Sequence, residues 1–313
     1  MIVDAHTHVV VEGHYPEAWW AGLADLFARH FQALGRDVSP ASVRENILPR
    51  FFDPEGERLL QSMDEAGIDV SVLLPLDYGL ALGDPADSLA DQCRWLGALQ
   101  EKYPKRLVAF TTVDPRRQGA TEFVRRSVEE WGLRGLKLHP GAGFYPNSRE
   151  SYRVMEVAAE CKLAVVVHTG QIVYPLKSKF CDPIYLDDIL VDFPELKVQA
   201  AHLGFGWRDG LNQMGATKPN LFTDFAGWQR MATGGGESFI RALRDALDHF
   251  GPPRVFFGTD GPYLRALMKN LDFIRLVKNL PAQSPHGIGF SEDEIRWVLG
   301  DAAANFLGLL DVG

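Results

Sequence analysis

The chain contains 313 residues, 46% of them hydrophobic, and carries a formal net charge of −9. A chain of this length can bury a large core, and its mixed but acidic charge argues against nucleic acid or an anionic membrane surface as a partner. The three cysteines, Cys93, Cys161 and Cys181, form no Cys-x-x-Cys pair, so we expect neither a disulfide framework nor a thiolate zinc site, and we predict a cytoplasmic protein.

The start of the chain lacks a basic and apolar leader, and no window holds 18 uninterrupted apolar residues. We therefore expect neither a signal peptide nor a membrane span.

Short apolar runs alternate with longer stretches of helical periodicity along the chain. Eight runs are predicted to be strands, at residues 2–6, 70–74, 106–113, 135–139, 164–168, 197–202, 220–224 and 254–260. Helices are predicted between them, for example at 88–103 and from Arg149, and two more follow the last strand, at 264–280 and 291–309. Ser291 with Glu294 three residues later is typical of a capping box.

Eight strand–helix units in one chain predict an α/β fold, a (β/α)₈ TIM barrel that forms a single domain over residues 1–313. The alternative is an open doubly wound sheet, but the Gly-x-Gly-x-x-Gly fingerprint that such sheets often carry is missing after the first strand.

Residues 11–56 interrupt the alternation with a long segment rich in aromatic side chains. Loops of this length usually have a function or a fold of their own. Helical spacing at 18–34 predicts a helical insertion over the barrel mouth. Its aromatic side chains could serve packing or contact between two copies of the chain as well as substrate binding. We expect a homodimer.

Six polar side chains stand at the carboxyl ends of predicted strands: His6, His8, His139, His168, His202 and Asp260. Barrel enzymes hold their chemistry at this face. His6 and His8 are two residues apart, so on a strand they point the same way. Nitrogen and oxygen ligands without a thiolate suit a catalytic divalent metal, which lowers the pKa of its bound water to roughly 7. Asp260 or His202 would then carry protons.

Several sequence motifs at and around these residues resemble those of a known family. The motifs VDAHTH, EKYPKRLVAFTTVDP, GLRGLKLHP, VVVHTG, AAHLG, FFGTDGPY and DAAANFLGL resemble the amidohydrolase superfamily, and more narrowly the branch that includes aminocarboxymuconate-semialdehyde decarboxylase. The resemblance extends from Met1 to about Leu310 and is weakest in the insertion. It implies one metal held by His6, His8, His168 and Asp260, with His202 acting on the metal-bound water or as acid/base.

A second local resemblance leaves the number of metals open. Lys137 in KLHP resembles the KLYP of dihydroorotase, where a carboxylated lysine bridges two metals. That arrangement implies a second ion held by Lys137, His168 and His202. An ion pair or a substrate contact is the interpretation of Lys137 that we favour, so one ion is expected rather than two.

Candidates for substrate binding are fewer. His139 shares the face of Lys137, and Arg50 at the end of the insertion would clamp a carboxylate, unless it forms a surface salt bridge. Trp207 and Tyr263 follow strands six and eight, where they would line an apolar pocket.

The sequence thus predicts a metal-dependent hydrolase that uses metal-activated water on a C–N or C–O acyl centre of a small, carboxylate-bearing substrate. Non-oxidative decarboxylation of an aromatic or unsaturated acid is the closest alternative, although LGFGWRD after His202 lacks the glutamate associated with the decarboxylases. A two-metal iron or manganese oxygenase and a non-catalytic metal-binding barrel are further alternatives. Zinc is the expected ion, with manganese and iron as alternatives.

Overall fold

Nine short strands form the sheet structure of the computed structural model, which describes residues 1–234 and 236–309. They are rich in β-branched and other apolar residues, and nearly all of their positions are buried, as expected of parallel strands covered on both faces. The strands are β1 (Val3–Thr7), β2 (Val70–Leu73), β3 (Leu107–Ala109), β4 (Thr111–Thr112), β5 (Gly135–Leu138), β6 (Ala164–Val167), β7 (Val198–Ala200), β8 (Leu221–Asp224) and β9 (Val255–Phe256).

Strand order follows the chain, as a TIM barrel requires. β1, β2 and β3 pair in parallel, and β4 to β9 form a second parallel run in the same order. The two runs are joined at Phe110, whose N–H donates to the Leu73 carbonyl at 3.1 Å. At the other end, the Ala5 N–H donates to the Phe257 carbonyl at 3.0 Å, which links β1 to the segment after β9. The predicted barrel is confirmed.

The strand predicted at 106–113 is interrupted, which the sequence did not indicate. β3 and β4 are its two halves, separated by Phe110. The Phe110 ring lies directly over Gly135, where an added Cβ would stand 2.3 Å from the ring. Packing of this ring therefore accounts for the glycine, and the strand is divided where its pairing changes from β2 to β5.

Helices occupy the predicted intervals between the strands. Ser88 and Ser148 cap two of them by accepting hydrogen bonds from the backbone N–H of Asp91 and Ser151, which confirms the helices predicted there. The helices are α1 (Glu17–Ala33), α2 (Pro40–Asn46), α3 (Glu57–Ala66), α4 (Gly79–Leu82), α5 (Leu89–Lys102), α6 (Ala120–Trp131), α7 (Arg149–Glu160), α8 (Asp187–Asp192), α9 (Arg208–Thr217), α10 (Gln229–Ala232), α11 (Glu237–Phe250), α12 (Asn270–Lys278), α13 (Leu280–Gln283), α14 (Glu292–Arg296) and α15 (Ala302–Phe306).

The helix predicted at 264–280 is divided. A 3₁₀ turn (Tyr263–Ala266) precedes α12, because Lys269 is extended and the Asn270 amide docks on the Ser62 hydroxyl of α3 at 3.1 Å. The helix predicted at 291–309 begins with the expected capping box at Ser291 and ends at Phe306. Between α14 and α15 it contains a π-helical turn (Trp297–Asp301) that packs on the amino terminus of the chain through Gly300.

The insertion is helical, as predicted, and contains α1, α2 and short 3₁₀ turns. Tyr15, Trp19 and Trp20 are buried and its four phenylalanines are half-buried. Trp19 on α1 lies 5.0 Å from Tyr78 between ring centroids. Tyr78 in turn packs edge-on against His139 at 5.0 Å. The insertion thus reaches the carboxyl ends of the strands. Among the helices within the described ranges, none is long and apolar enough to cross a bilayer.

Candidate metal centre

His6 on β1 and His8 just beyond it point to the same side of the strand, with ring centroids 5.4 Å apart. His6 Nδ1 lies 3.0 Å from Asp224 Oδ2, and His8 Nδ1 lies 2.6 Å from the Leu74 carbonyl. Carboxylate and carbonyl oxygens accept hydrogen bonds, so each Nδ1 carries the hydrogen. Nε2 of both rings is therefore unprotonated and has a lone pair that can bind a metal.

Asp260 faces these two nitrogens. It follows β9 in the left-handed region (φ 49°), and its backbone N–H donates to the His6 carbonyl at 2.8 Å. A non-glycine residue in this region is strained by roughly 1–3 kcal/mol and is held there by its surroundings. Asp260 Oδ1 lies 3.2 Å from His8 Nε2 and 3.7 Å from His6 Nε2.

These three atoms are all acceptors and lie within 4.8 Å of one another. Lone pairs at such short distances repel unless a cation lies between them. The donor set of two imidazoles and a carboxylate is one that divalent transition metals bind. The residues present therefore fit the divalent ion expected from the sequence.

His168 and His202 form a directional pair beside this group. His202 Nδ1–H donates to the Ala226 carbonyl at 2.9 Å, so His202 Nε2 accepts from His168 Nδ1–H at 3.1 Å. His168 Nε2 is left buried and, among the described residues, without a hydrogen-bond partner. Buried polar atoms are seldom unpaired, so this nitrogen is a further candidate ligand.

His202 is itself held in an unusual conformation. It lies in a short 3₁₀ turn after β7 with φ 65°, where the sequence predicted a continuing strand to residue 202. The Trp228 indole donates to its carbonyl at 2.9 Å, and Phe205 stacks on its ring at 5.9 Å. These contacts direct the imidazole toward His6, whose ring centroid is 4.6 Å away.

Lys137 lies on β5 and His139 follows directly after the strand, two residues later. Both side chains are buried. Lys137 Nζ lies 3.4 Å from His6 Nε2, and burial lowers its pKa to about 8. Within the described ranges, its ammonium forms no ion pair with a carboxylate. Its polar contact is the one with His6. The His139 ring stacks on His168 at 4.1 Å. Burial holds the pKa of His139 and of His168 well below the usual value, so both rings are neutral.

Asp224 at the end of β8 is a site residue that the sequence analysis missed. It is fully buried, and its Oδ1 accepts from the backbone N–H of His202 at 3.0 Å and of Ala226 at 2.9 Å. Burial would raise its pKa, but the electrostatic interaction with the adjacent His6 ring and the hydrogen bond from that ring hold the pKa below the usual value. Asp224 therefore orients His6 and His202 together. Its position at the end of a predicted strand was the sequence feature that could have identified it as a site residue.

Of three further predicted substrate-binding residues, two lie farther out and one lies close to the site. Arg50 is exposed, and its Nε donates to the Asn46 carbonyl at 2.9 Å, so the structure does not bring it to the histidines. Trp207 precedes α9, and its ring packs against none of the site histidines among the described residues. Tyr263 is close to the site, three residues after Asp260, and packs against Phe51 at 5.0 Å.

The comparisons with known proteins concern the family and the fold. A family model described as Amidohydrolase matches residues 3–309. No curated protein has a sequence significantly similar to the chain.

Solved structures with a similar fold include an uncharacterised TIM-barrel protein, decarboxylases and a probable 2-pyrone-4,6-dicarboxylic acid hydrolase. An uncharacterised TIM-barrel protein from Bordetella bronchiseptica is 20% identical, with a TM-score of 0.68 and 98% of each chain covered. A 5-carboxyvanillate decarboxylase from Novosphingobium aromaticivorans, complexed with manganese and 4-hydroxy-3-methoxy-5-nitrobenzoic acid, is 16% identical, with a TM-score of 0.64, 98% of this chain and 96% of that chain covered. A 2,6-dihydroxybenzoate decarboxylase from Rhizobium is 16% identical, with a TM-score of 0.66 and 98% of each chain covered. At these identities the likeness concerns the fold.

Proposed function

The chain belongs to the amidohydrolase family, and on this premise we propose that it is a metal-dependent hydrolase acting on a C–N or C–O acyl bond of a small substrate. Membership of an enzyme family argues against a barrel that binds metal without catalysis. The observation that carries the proposal is the convergence of acceptors: His6 Nε2, His8 Nε2 and Asp260 Oδ1 within 4.8 Å. Hydrolysis requires groups that take a proton from water, and the site is rich in them.

The ion is held in this proposal by His6, His8, His168 and Asp260. Zinc, manganese and iron all accept such ligands, and zinc remains our expectation. A bound divalent ion would polarise the acyl oxygen and make water a stronger nucleophile at neutral pH. If two ions bind, Lys137 and His202 are the additional ligands, and Lys137 would be carboxylated.

The protein's own groups move the protons. Asp260, whose side chain is 29% exposed, takes a proton from the attacking water as the bond from water oxygen to acyl carbon forms. The same proton then passes to the leaving nitrogen or oxygen as the acyl bond breaks. For His202 to accept a proton in place of Asp260, the hydrogen bond that its Nε2 accepts from His168 must first break.

Decarboxylation is the second candidate, and one observation favours it. Tyr15, Trp19 and Tyr78 form an aromatic cluster next to His139, which suits a planar unsaturated acid such as the benzoic acid bound in the 5-carboxyvanillate decarboxylase structure. Carbon dioxide would then leave and a proton would be delivered to the ring carbon. In the described part of the chain, Lys137 is the one buried ammonium in contact with the site histidines, so it is the candidate donor of that proton.

Product analysis distinguishes these reactions. Metal-loaded protein is incubated with a panel of lactones, aryl esters and anilides, and in parallel with dihydroxybenzoates. We expect hydrolysis of at least one acyl substrate, lost in Asp260→Asn, without release of carbon dioxide from the acids. Release of carbon dioxide with no hydrolysis would decide for the decarboxylase. Coupled iron or manganese in an electron spin resonance spectrum, with oxygen consumed, would decide for the oxygenase.

A further inference from the structure

Gln199 on β7 carries a polar side chain into an apolar part of the barrel. It is 1% exposed, and the residues paired with it on the neighbouring strands are Val166 on β6 and Phe222 on β8. An amide buried beside such residues costs free energy unless it is hydrogen-bonded. Among the described residues, its side chain forms one hydrogen bond, in which Nε2 donates to Asp224 Oδ2.

This bond completes the set of donors around the Asp224 carboxylate. Oδ1 accepts from the backbone N–H of His202 at 3.0 Å and of Ala226 at 2.9 Å. Oδ2 accepts from His6 Nδ1 at 3.0 Å and from Gln199. A carboxylate offers about four lone-pair sites, so each of them has a donor here. His6 and Gln199 therefore share one oxygen.

The orientation of Asp224 does not depend on Gln199. Two backbone N–H groups fix Oδ1, and the His6 ring fixes Oδ2, so the carboxylate keeps its place without the amide. The fourth donor has a different effect, because every hydrogen bond to a carboxylate lowers its affinity for a proton. Burial would raise the pKa of Asp224, whereas the His6 ring, His202 and the Gln199 amide lower it.

A less basic carboxylate attracts the His6 Nδ1 hydrogen less strongly. The carboxylate partner of a metal-binding histidine raises the basicity of that histidine, and this effect increases with the strength of the hydrogen bond between them. By occupying part of Oδ2, Gln199 thus reduces the electron density available at His6 Nε2.

We propose that Gln199 limits the strength with which His6 binds the metal ion, by sharing Asp224 Oδ2 with the His6 ring. Gln199 acts through Asp224, so it is a positioning residue and not a catalytic one. A divalent ion that receives less charge from its ligands polarises an acyl oxygen more strongly. The inference rests on the proposed function, because it places the ion at His6.

Metal affinity of Gln199→Met tests the proposal, since methionine has a similar length and no donor. Competition with a chromophoric chelator measures the dissociation constant for zinc. We expect the variant to bind zinc more tightly, by roughly two- to fivefold, which is a fraction of the effect of losing the whole carboxylate partner. A role in packing alone predicts the opposite, because a loosened site would bind zinc more weakly.

A spectroscopic measurement accompanies the affinity. In proton NMR of the zinc-loaded protein, the His6 Nδ1–H resonance should move downfield in Gln199→Met, because the hydrogen bond to Asp224 becomes stronger. Gln199→Leu, which also lacks a donor, serves in place of Gln199→Met if that variant does not fold.

Two further comparisons assign the effect to Asp224. In an Asp224→Asn background, Gln199→Met should leave zinc affinity unchanged, because no carboxylate remains for the amide to share. Gln92→Met is the matched control, since the Gln92 amide is also buried but donates to the Asp87 carbonyl at 3.0 Å. It should bind zinc as the wild type does.

Unchanged or weaker zinc binding in Gln199→Met, or an equal gain in the Asp224→Asn background, would overturn the inference, while zinc binding by the wild type leaves the proposed function standing. If the wild type binds no divalent metal, the proposed function fails, and the inference fails with it.

Discussion

Replacing Asp224 with asparagine should weaken metal binding although Asp224 is not itself a proposed ligand. Asp224 Oδ2 accepts the hydrogen of His6 Nδ1, which leaves His6 Nε2 unprotonated. Its Oδ1 accepts two backbone N–H groups, from His202 and Ala226. In Asp224→Asn the amide oxygen would retain those two bonds, so the amide nitrogen would face His6 and donate to it. His6 would then carry its hydrogen on Nε2, where it blocks the metal.

The size of the effect follows from comparable sites. Loss of a group that orients a metal-binding histidine typically costs 10- to 100-fold in metal affinity, or about 1.4 to 2.7 kcal/mol. We expect a loss in this range, because one of the proposed ligands is affected and the backbone turn is kept.

Competition with a chromophoric chelator measures the affinity, and circular dichroism checks that the variant is folded. Asp114→Asn is the matched control, since Asp114 is equally buried and pairs with Arg116 at 2.6 Å rather than with a histidine. A folded Asp224→Asn protein whose metal affinity lies within twofold of the wild type would refute the reasoning about the His6 tautomer.

Two further predictions concern stability. Removal of metal by a chelator should lower the free energy of unfolding, measured by urea titration, by about 2.7 kcal/mol. The reference is protein with free metal at a hundred times its dissociation constant. No difference would mean that the folded state binds no metal. Gly135→Ala should destabilise the protein by roughly 1–3 kcal/mol in the same assay, because the added methyl group overlaps the Phe110 ring, whereas Gly210→Ala on α9, which has open space, should be neutral or stabilising.

Strand periodicity predicted much of the fold and most of the site. The alternation of apolar runs with helical stretches was sufficient to predict the barrel, and the carboxyl ends of its strands bring His6, His8, His202 and Asp260 together. The strand predicted at 220–224 is present as β8, yet the sequence analysis did not assign a role to Asp224 at its end. The same rule that selected the histidines would have selected Asp224.

What the sequence could not reveal depends on contacts between distant segments. His202 and Asp260 leave regular strand geometry and adopt positive φ values, which hydrogen bonds from Trp228 and to His6 enforce. No local pattern encodes such bonds. Arg50 has a suitable side chain at a suitable position in the chain, but its guanidinium caps the Asn46 carbonyl on the surface. Direction of a long side chain is decided by its neighbours in space.

Trp19 and Trp20 show the same limit. They are adjacent and chemically identical, and helical periodicity alone does not distinguish them. Only contacts between distant segments decide that Trp20 donates to the Glu12 carbonyl while Trp19 faces Tyr263 instead.

The account rests on a metal centre built by His6, His8 and Asp260, and elemental analysis tests it most directly. Wild-type protein purified without chelators and the His6→Ala/His8→Ala double variant are compared at equal concentration after gel filtration. We predict at least one divalent transition-metal ion per wild-type chain and almost none in the folded double variant. A wild type without metal even after incubation with zinc or manganese, or a double variant that keeps the full content, would contradict the account.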